Sequence, residues 1–231
     1  MATQVKNNIY QITRGANIFI LKTAADEVTV IDTGLPGGTK AILKAVRELG
    51  MEPTDVKHIL ITHADLDHVG SLAGLVKATG AKVYAGAETR QHIEQRTMPP
   101  HMPGFLATII KPVQKLVQGN VTVDQVVNDG DILTIGGGIR ALHTPGHTPD
   151  NFSYYWPAEG ALFAPDLLNT LGGTLGLTQA RITWEMDVAR ASTRKVLALE
   201  PTLICVGHGD AVKAPDPQIE TLKDKVNAAG G

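Results

Sequence analysis

The spacing of apolar positions divides the chain into short strands and amphipathic helices. Val5 to Thr13, Asn17 to Lys22 and Val28 to Ile31 are β-branched or alternating runs, separated by Arg14-Gly15 and by Ala24 to Glu27, and they predict successive strands. Ile31-Asp32-Thr33-Gly34 ends the third strand in a turn, and Pro36-Gly37-Gly38 breaks the chain. Thr39 to Leu49 then carries Ile42, Leu43, Val46 and Leu49 at helical spacing and stops at Gly50. Val56 to Thr62 predicts a strand whose centre, Ile59-Leu60-Ile61, is apolar without alternation, as in a sheet covered on both faces. Gly70 to Thr79 predicts a helix and Lys82 to Ala85 a strand. Strands alternating with helices make an α/β protein the expectation.

Residues 88 to 120 break this rhythm. Glu88 to Arg96 has a helical pattern, Met98-Pro99-Pro100 and Met102-Pro103-Gly104 are breakers, and Phe105 to Val117 is apolar but interrupted by Pro112. Such an insertion is either a lid or substrate-facing wall, or a helical excursion over the surface. Strands return at Asp131 to Ile135, Ile139 to His143, Asn151 to Trp156 and Ala161 to Ala164. Trp184 to Leu199 predicts a helix, Leu203 to Val206 a strand and Ile219 to Ala229 a closing helix. With no linker or low-complexity segment, one domain over residues 1–231 is expected, carrying a helical or irregular insertion at about 88–120.

Composition narrows the classes. The 231 residues are 43% hydrophobic and 19% charged, enough apolar material for a core. A formal net charge of −2 gives no basic excess for nucleic acid or a membrane surface, leaving a small-molecule substrate as the expected partner. The single cysteine, Cys205, excludes a disulfide framework and a multi-cysteine zinc site, and its apolar strand makes it a core residue. No apolar run approaches 18 residues, and the polar start Met1 to Asn8 lacks a basic-then-apolar leader, so the expected location is cytoplasmic.

The chemistry gathers at strand ends. His63-Ala64-Asp65-Leu66-Asp67-His68 places four potential metal ligands in six residues, directly after the buried strand. In an extended segment His63 and Asp65 point the same way, and a tight turn can swing Asp67 and His68 toward a second ion. Three further potential ligands follow predicted strands: His147 in Thr144-Pro145-Gly146-His147, Asp166 in Phe163-Ala164-Pro165-Asp166, and His208 in Gly207-His208-Gly209. By contrast, His58, His92 and His101 read as ordinary surface or packing histidines, and His143 as a core or supporting residue.

Thr62-His63-x-Asp65-x-Asp67-His68, with Ile31-Asp32-Thr33-Gly34 before it and the motifs of His147, Asp166 and His208 after it, resembles the metallo-β-lactamase-fold hydrolases in order and spacing. The resemblance implies a four-layer αβ/βα sandwich with two mixed β-sheets, outer helices and a binuclear metal centre. By position, His63, Asp65 and His147 would hold one ion, and Asp67, His68 and His208 the other. Asp166 would bridge them, and Asp32 would support the ligands from outside. Two divalent ions, zinc first with iron or manganese as alternatives, would share a hydroxide oriented by Asp67. That hydroxide would cleave a carboxylic ester, lactone or thioester. Most members have histidine where this chain has Asp65, a carboxylate that also suits iron. An iron-dependent oxidoreductase (persulfide dioxygenase or diiron type) is therefore the first alternative, and a non-catalytic relative with an impaired site the second. Glyoxalase II-type thioesterases add a helical region after the last histidine, whereas only a short tail follows His208, which favours a lactonase- or esterase-like reading. The insertion would form an apolar wall for an acyl chain, and a homodimer is the expected assembly.

Overall fold

The computed structural model describes residues 2–101 and 104–228. The expected breakers Met102 and Pro103, and the expected helix end at Ala229, lie outside the described residues. Two compact units emerge, one from Met1–Pro99 and Gly104–Val127, the other from Pro100–Pro103 and Asn128–Gly231.

The first unit is built on a seven-stranded sheet whose neighbours follow chain order: β1 (Thr3–Lys6), β2 (Ile9–Arg14), β3 (Ala16–Ala24), β4 (Glu27–Ile31), β5 (Val56–Leu60), β6 (Lys82–Gly86) and β7 (Gln125–Val127). β1 to β4 pair antiparallel, and β4 to β7 pair parallel. The pattern Val5 to Thr13 predicts one strand; a turn at Asn7-Asn8 splits it into a hairpin. Asn8 takes φ +64°, a left-handed backbone that asparagine adopts more readily than most residues. Parallel neighbours need crossovers. The connections carry α1 (Thr39–Glu48), α2 (Leu66–Val69), α3 (Leu72–Thr79), α4 (Ala87–Gln95) and α5 (Gly104–Val117). Ile59 and Ile61 are fully buried with Ile18, Val30, Ile42 and Leu75, so the unalternating apolar run of β5 lies in a core, as its pattern required.

α5 departs from the expectation twice. Pro112 does not interrupt it, although the ring removes the amide that would bond the Thr108 carbonyl. Both residues are exposed, so water can satisfy that carbonyl. Near its C-terminal end the helix also turns a polar side chain inward. Gln114 and Gln118 are buried, while Phe105, Ile109, Val113 and Leu116 are exposed, Leu116 to 85%.

The second unit holds β8 (Ile132–Leu133), β9 (Ile139–His143), β10 (Phe152–Trp156), β11 (Ala161–Asn169), β12 (Gly176–Leu177), β13 (Leu203–His208) and β14 (Val212–Lys213). Their order is β14-β13-β11-β10-β9-β8, with β12 also paired to β11. β11 and β13 run parallel and the other pairs antiparallel. α6 (Met186–Leu197) and α7 (Pro217–Ala228) bury Ala189, Val196, Ile219, Leu222 and Val226 in a core with Leu162, Ile204 and Val206. Two strands outrun their sequence signals. β11 continues past Pro165 because it changes partner there: it pairs with β13 up to Ala164 and with β12 from Leu168. The missing proline amide falls at the changeover, where it interrupts neither ladder. Asp166 therefore stands within a strand rather than after one, and β13 reaches His208 itself.

Each unit thus has a mixed sheet with helices, the two mixed β-sheets of the expected α/β class. No helix among the described residues is long and apolar enough to cross a membrane.

Candidate metal centre

In the first unit the ligand run leaves the end of β5 and enters α2, with Asp65 at the helix N-cap. Asp32 follows β4 in the left-handed region, at φ +58°, so its carboxylate turns back over the run. Asp32 Oδ1 accepts the Thr62 amide at 2.9 Å, and Oδ2 accepts the Thr62 hydroxyl at 2.7 Å. The same Oδ2 lies 2.8 Å from His68 Nδ1, which makes that nitrogen the N–H of the ring and Nε2 the basic one. The Thr62 hydroxyl proton is committed to Asp32. Its oxygen, 3.1 Å from His63 Nδ1, accordingly accepts from that ring and leaves Nε2 of His63 as the basic nitrogen. The Thr33 amide and hydroxyl both donate to the His68 carbonyl, at 2.7 and 2.9 Å. His63, Asp65 and His68 are buried and Asp67 is half-buried. His63 Nε2 lies 3.5 Å from Asp65 Oδ2, and the His63 and His68 ring centres are 4.1 Å apart.

The second unit assembles its residues from separate strands and a loop. His147 follows β9, on a loop held by backbone bonds from Trp184 to the His147 carbonyl (2.9 Å) and from Glu185 to the Gly146 carbonyl (3.0 Å). Gly146, at φ +149°, backs directly onto Ala189 of α6, where any Cβ would collide with backbone. Asp166 is a second left-handed aspartate, at φ +54°. Its backbone carbonyl accepts from Thr178 Oγ1 at 2.6 Å. Its carboxylate faces both histidines, with Oδ2 3.5 Å from His147 Nε2 and Oδ1 3.4 Å from His208 Nε2. A Cβ on Gly207 would occupy the place of Asp166 Oδ1, so only glycine lets β13 pass this carboxylate. His208 is half-buried, and its carbonyl accepts the Thr170 amide at 2.9 Å.

The donor chemistry fits divalent metal ions. Two donor atoms, each about 2.0–2.1 Å from one tetrahedral ion, lie about 3.3 Å apart. The three imidazole–carboxylate pairs stand at 3.4–3.5 Å, longer than hydrogen bonds, and every one presents Nε2 to the carboxylate. Imidazole with carboxylate suits zinc, iron and manganese. A carboxylate on the far side of a ligating histidine, as Asp32 stands to His68, is the usual arrangement at such centres.

The family model of the metallo-beta-lactamase superfamily matches residues 12–208. The chain belongs to the metallo-beta-lactamase superfamily. Within that superfamily it is 32% identical over 219 residues to the uncharacterized protein YobT of Bacillus subtilis (strain 168), covering 87% of this chain and 86% of that one. It is 27% identical over 197 residues to a hydroxyacylglutathione hydrolase of Methylobacterium nodulans, covering 82% of this chain and 64% of the hydrolase. Among solved structures it resembles a metallo-beta-lactamase family protein of Thermus thermophilus, with TM-score 0.71, 22% identity, and 97% and 81% of the two chains covered. It also resembles a B3 metallo-beta-lactamase with an active-site glutamic acid, with TM-score 0.73, 25% identity, and 98% and 87% covered. The fold is that of these metallo-beta-lactamases.

Two residues at the clusters escape a reading of the sequence. His101, an ordinary histidine by its sequence context, is buried with its ring centre 4.6 Å from that of His147. Gln114 of α5, fully buried, donates through Nε2 to the carbonyls of Ala64 and Thr97, each at 3.0 Å. Ala64 lies between His63 and Asp65, so the helix grips the ligand run from outside. A signal exists for Gln114: it and Gln118, just past the end of α5, are glutamines four apart in a stretch rich in apolar residues. The side chain of α5 that meets the run is an amide, while Phe105, Ile109, Val113 and Leu116 of the same helix are exposed.

Proposed function

We propose that the two clusters hold one pair of divalent metal ions and that the protein hydrolyses a carboxylic ester, lactone or thioester. In this reading His63, Asp65 and His147 hold one ion, Asp67, His68 and His208 hold the other, and Asp166 serves both. The 3.4–3.5 Å imidazole–carboxylate spacing, repeated three times through Nε2, is the observation that carries the proposal. Such ions supply a water acidic enough to ionise near neutral pH and a Lewis acid for the carbonyl oxygen.

The chain's own residues do the rest. Asp32 holds the His68 ring and, through Thr62, the His63 ring in one tautomer. Asp166 fixes the spacing of His147 and His208 by engaging one with each oxygen. Asp67, half-buried at the start of α2, orients the attacking water. Hydrolases among the relatives support the reaction class. Imidazole-rich surroundings favour zinc, whereas the carboxylate of Asp65 opens the site to iron.

Elemental analysis of the purified protein, paired with a panel of lactones, esters and thioesters, tests the reading. The expected result is about two zinc ions per chain and a hydrolysis that chelation removes and zinc restores. Iron with oxygen consumption would move the chemistry to oxidation, and a chain that takes up no metal would refute the proposal.

A further inference from the structure

We propose that His101 is an additional ligand of the ion held by His147, an inference that rests on the metal reading above. His101 is only 8% exposed, and its ring meets that of His147 with centres 4.6 Å apart and planes inclined at 54°. Parallel stacking would bring the planes together, and this pair does not stack. Two imidazoles bound to one ion through single nitrogens about 2.0–2.1 Å away place their ring centres about 5 Å apart. Each ring then points at the ion, so the planes are free to incline. The observed separation and tilt fit a shared ion.

Chemistry supplies a second reason. Neutral imidazole is the commonest metal ligand, and two such rings side by side can offer their lone pairs to the same cation. His101 also follows Pro99-Pro100, a sequence that narrows the backbone and suits a side chain that must be held in place. With His63, Asp65, His147 and Asp166 alone, the ion has two imidazoles and two carboxylates. A third imidazole shifts the donor set from oxygen toward nitrogen, and with it the preference toward zinc. The insertion then contributes to the metal centre directly, through a residue outside every motif that the sequence displays.

Cobalt(II) titration of the whole protein tests this, because its visible bands report the number and geometry of nitrogen donors. The bands of the wild type and of His101→Ala are compared, and affinities are taken from competition with a chelator. His92→Ala is the control, since His92 lies on α4 and its ring bonds Thr97 Oγ1 at 2.8 Å. The expected result is altered bands and at least about tenfold weaker binding of one ion in His101→Ala, with His92→Ala unchanged. If His101→Ala fails to fold, His101→Gln is read the same way. A His101 variant that keeps wild-type bands and affinity overturns the inference while leaving the metal reading intact. A wild-type chain that takes up no cobalt overturns both.

Discussion

The two clusters are assembled by different means. In the first unit, four candidate ligands come from six consecutive residues, and the rings of His63 and His68 are oriented by hydrogen bonds that converge on Asp32. In the second, His147, Asp166 and His208 come from three places far apart in the chain: the loop after β9, the interior of β11 and the end of β13. There the backbone sets the geometry: Gly146 against Ala189, Gly207 against the Asp166 carboxylate, and carbonyls pinned by Trp184 and Thr170. A contiguous motif can fix its own spacing but must be oriented from outside. A dispersed one is oriented by the strands that bring it together and depends on their close approach. Damage to the first should therefore be chemical and damage to the second steric.

Variants can break or sharpen this contrast. The largest effect is expected from Asp166→Ala, which removes the one carboxylate engaging two histidines. Hydrolysis of the best panel substrate should fall on the order of a thousandfold, with metal content reduced in the same preparation. Asp32→Asn should leave the fold in place, as judged by circular dichroism, yet weaken metal binding by about 10–100-fold in chelator competition. Asparagine puts an NH2 at one of the two oxygen positions, where it faces either the Thr62 amide N–H or the Thr62 hydroxyl and the His68 Nδ1–H. Gly207→Ala should cost stability as well as metal binding, because its Cβ displaces Asp166 Oδ1. Overpacking against Asp166 lowers unfolding stability by about 1–3 kcal/mol in urea titration, and an equal loss from Asp32→Asn would erase the distinction. Gln114→Met keeps the volume but removes the donors to Ala64 and Thr97, and should cost about 1 kcal/mol in the same titration.

The smallest effect concerns pH. Burial holds the His58 pKa below its ordinary 6.5, against the opposing pull of Glu27, whose carboxylate lies 3.7 Å away. A folded-state value below the unfolded one means that protons bind the unfolded chain better. The contribution of neutral His58 is therefore complete above about pH 6.5 and is lost as pH falls toward the folded value. Metal-free His58→Gln should show a flatter urea midpoint than metal-free wild type between pH 7 and pH 5.

What is legible in the sequence follows the same division. The candidate run is readable because its six residues need no tertiary information, and the buried β5 because an apolar run without alternation has few other uses. His147, Asp166 and His208 are found through the order of their motifs, not through any local necessity. The misses have physical causes. The Asn7-Asn8 turn is short and carries no glycine, so it looks like strand. β12 is two residues long, and only its pairing keeps β11 extended beyond Pro165. The inward turn of Gln114 cannot be read from hydrophobicity, because its bonds to the Ala64 and Thr97 carbonyls decide it. His101 lies in a proline-rich stretch with no periodicity, where nothing but the fold could bring it to His147.

Cys205 lies in β13, three residues before His208, fully buried and in register with Phe163 of the parallel neighbour β11. Burial drives its thiol pKa far up, so the folded chain offers no thiolate to a labelling reagent. As the chain's single sulfhydryl, it is a built-in clock. Each modification event records one departure of β13 from its sheet, and the rate measures how often that happens. Comparing the rate with and without metal would convert ligand occupancy at His208 into the opening frequency of the strand that carries it.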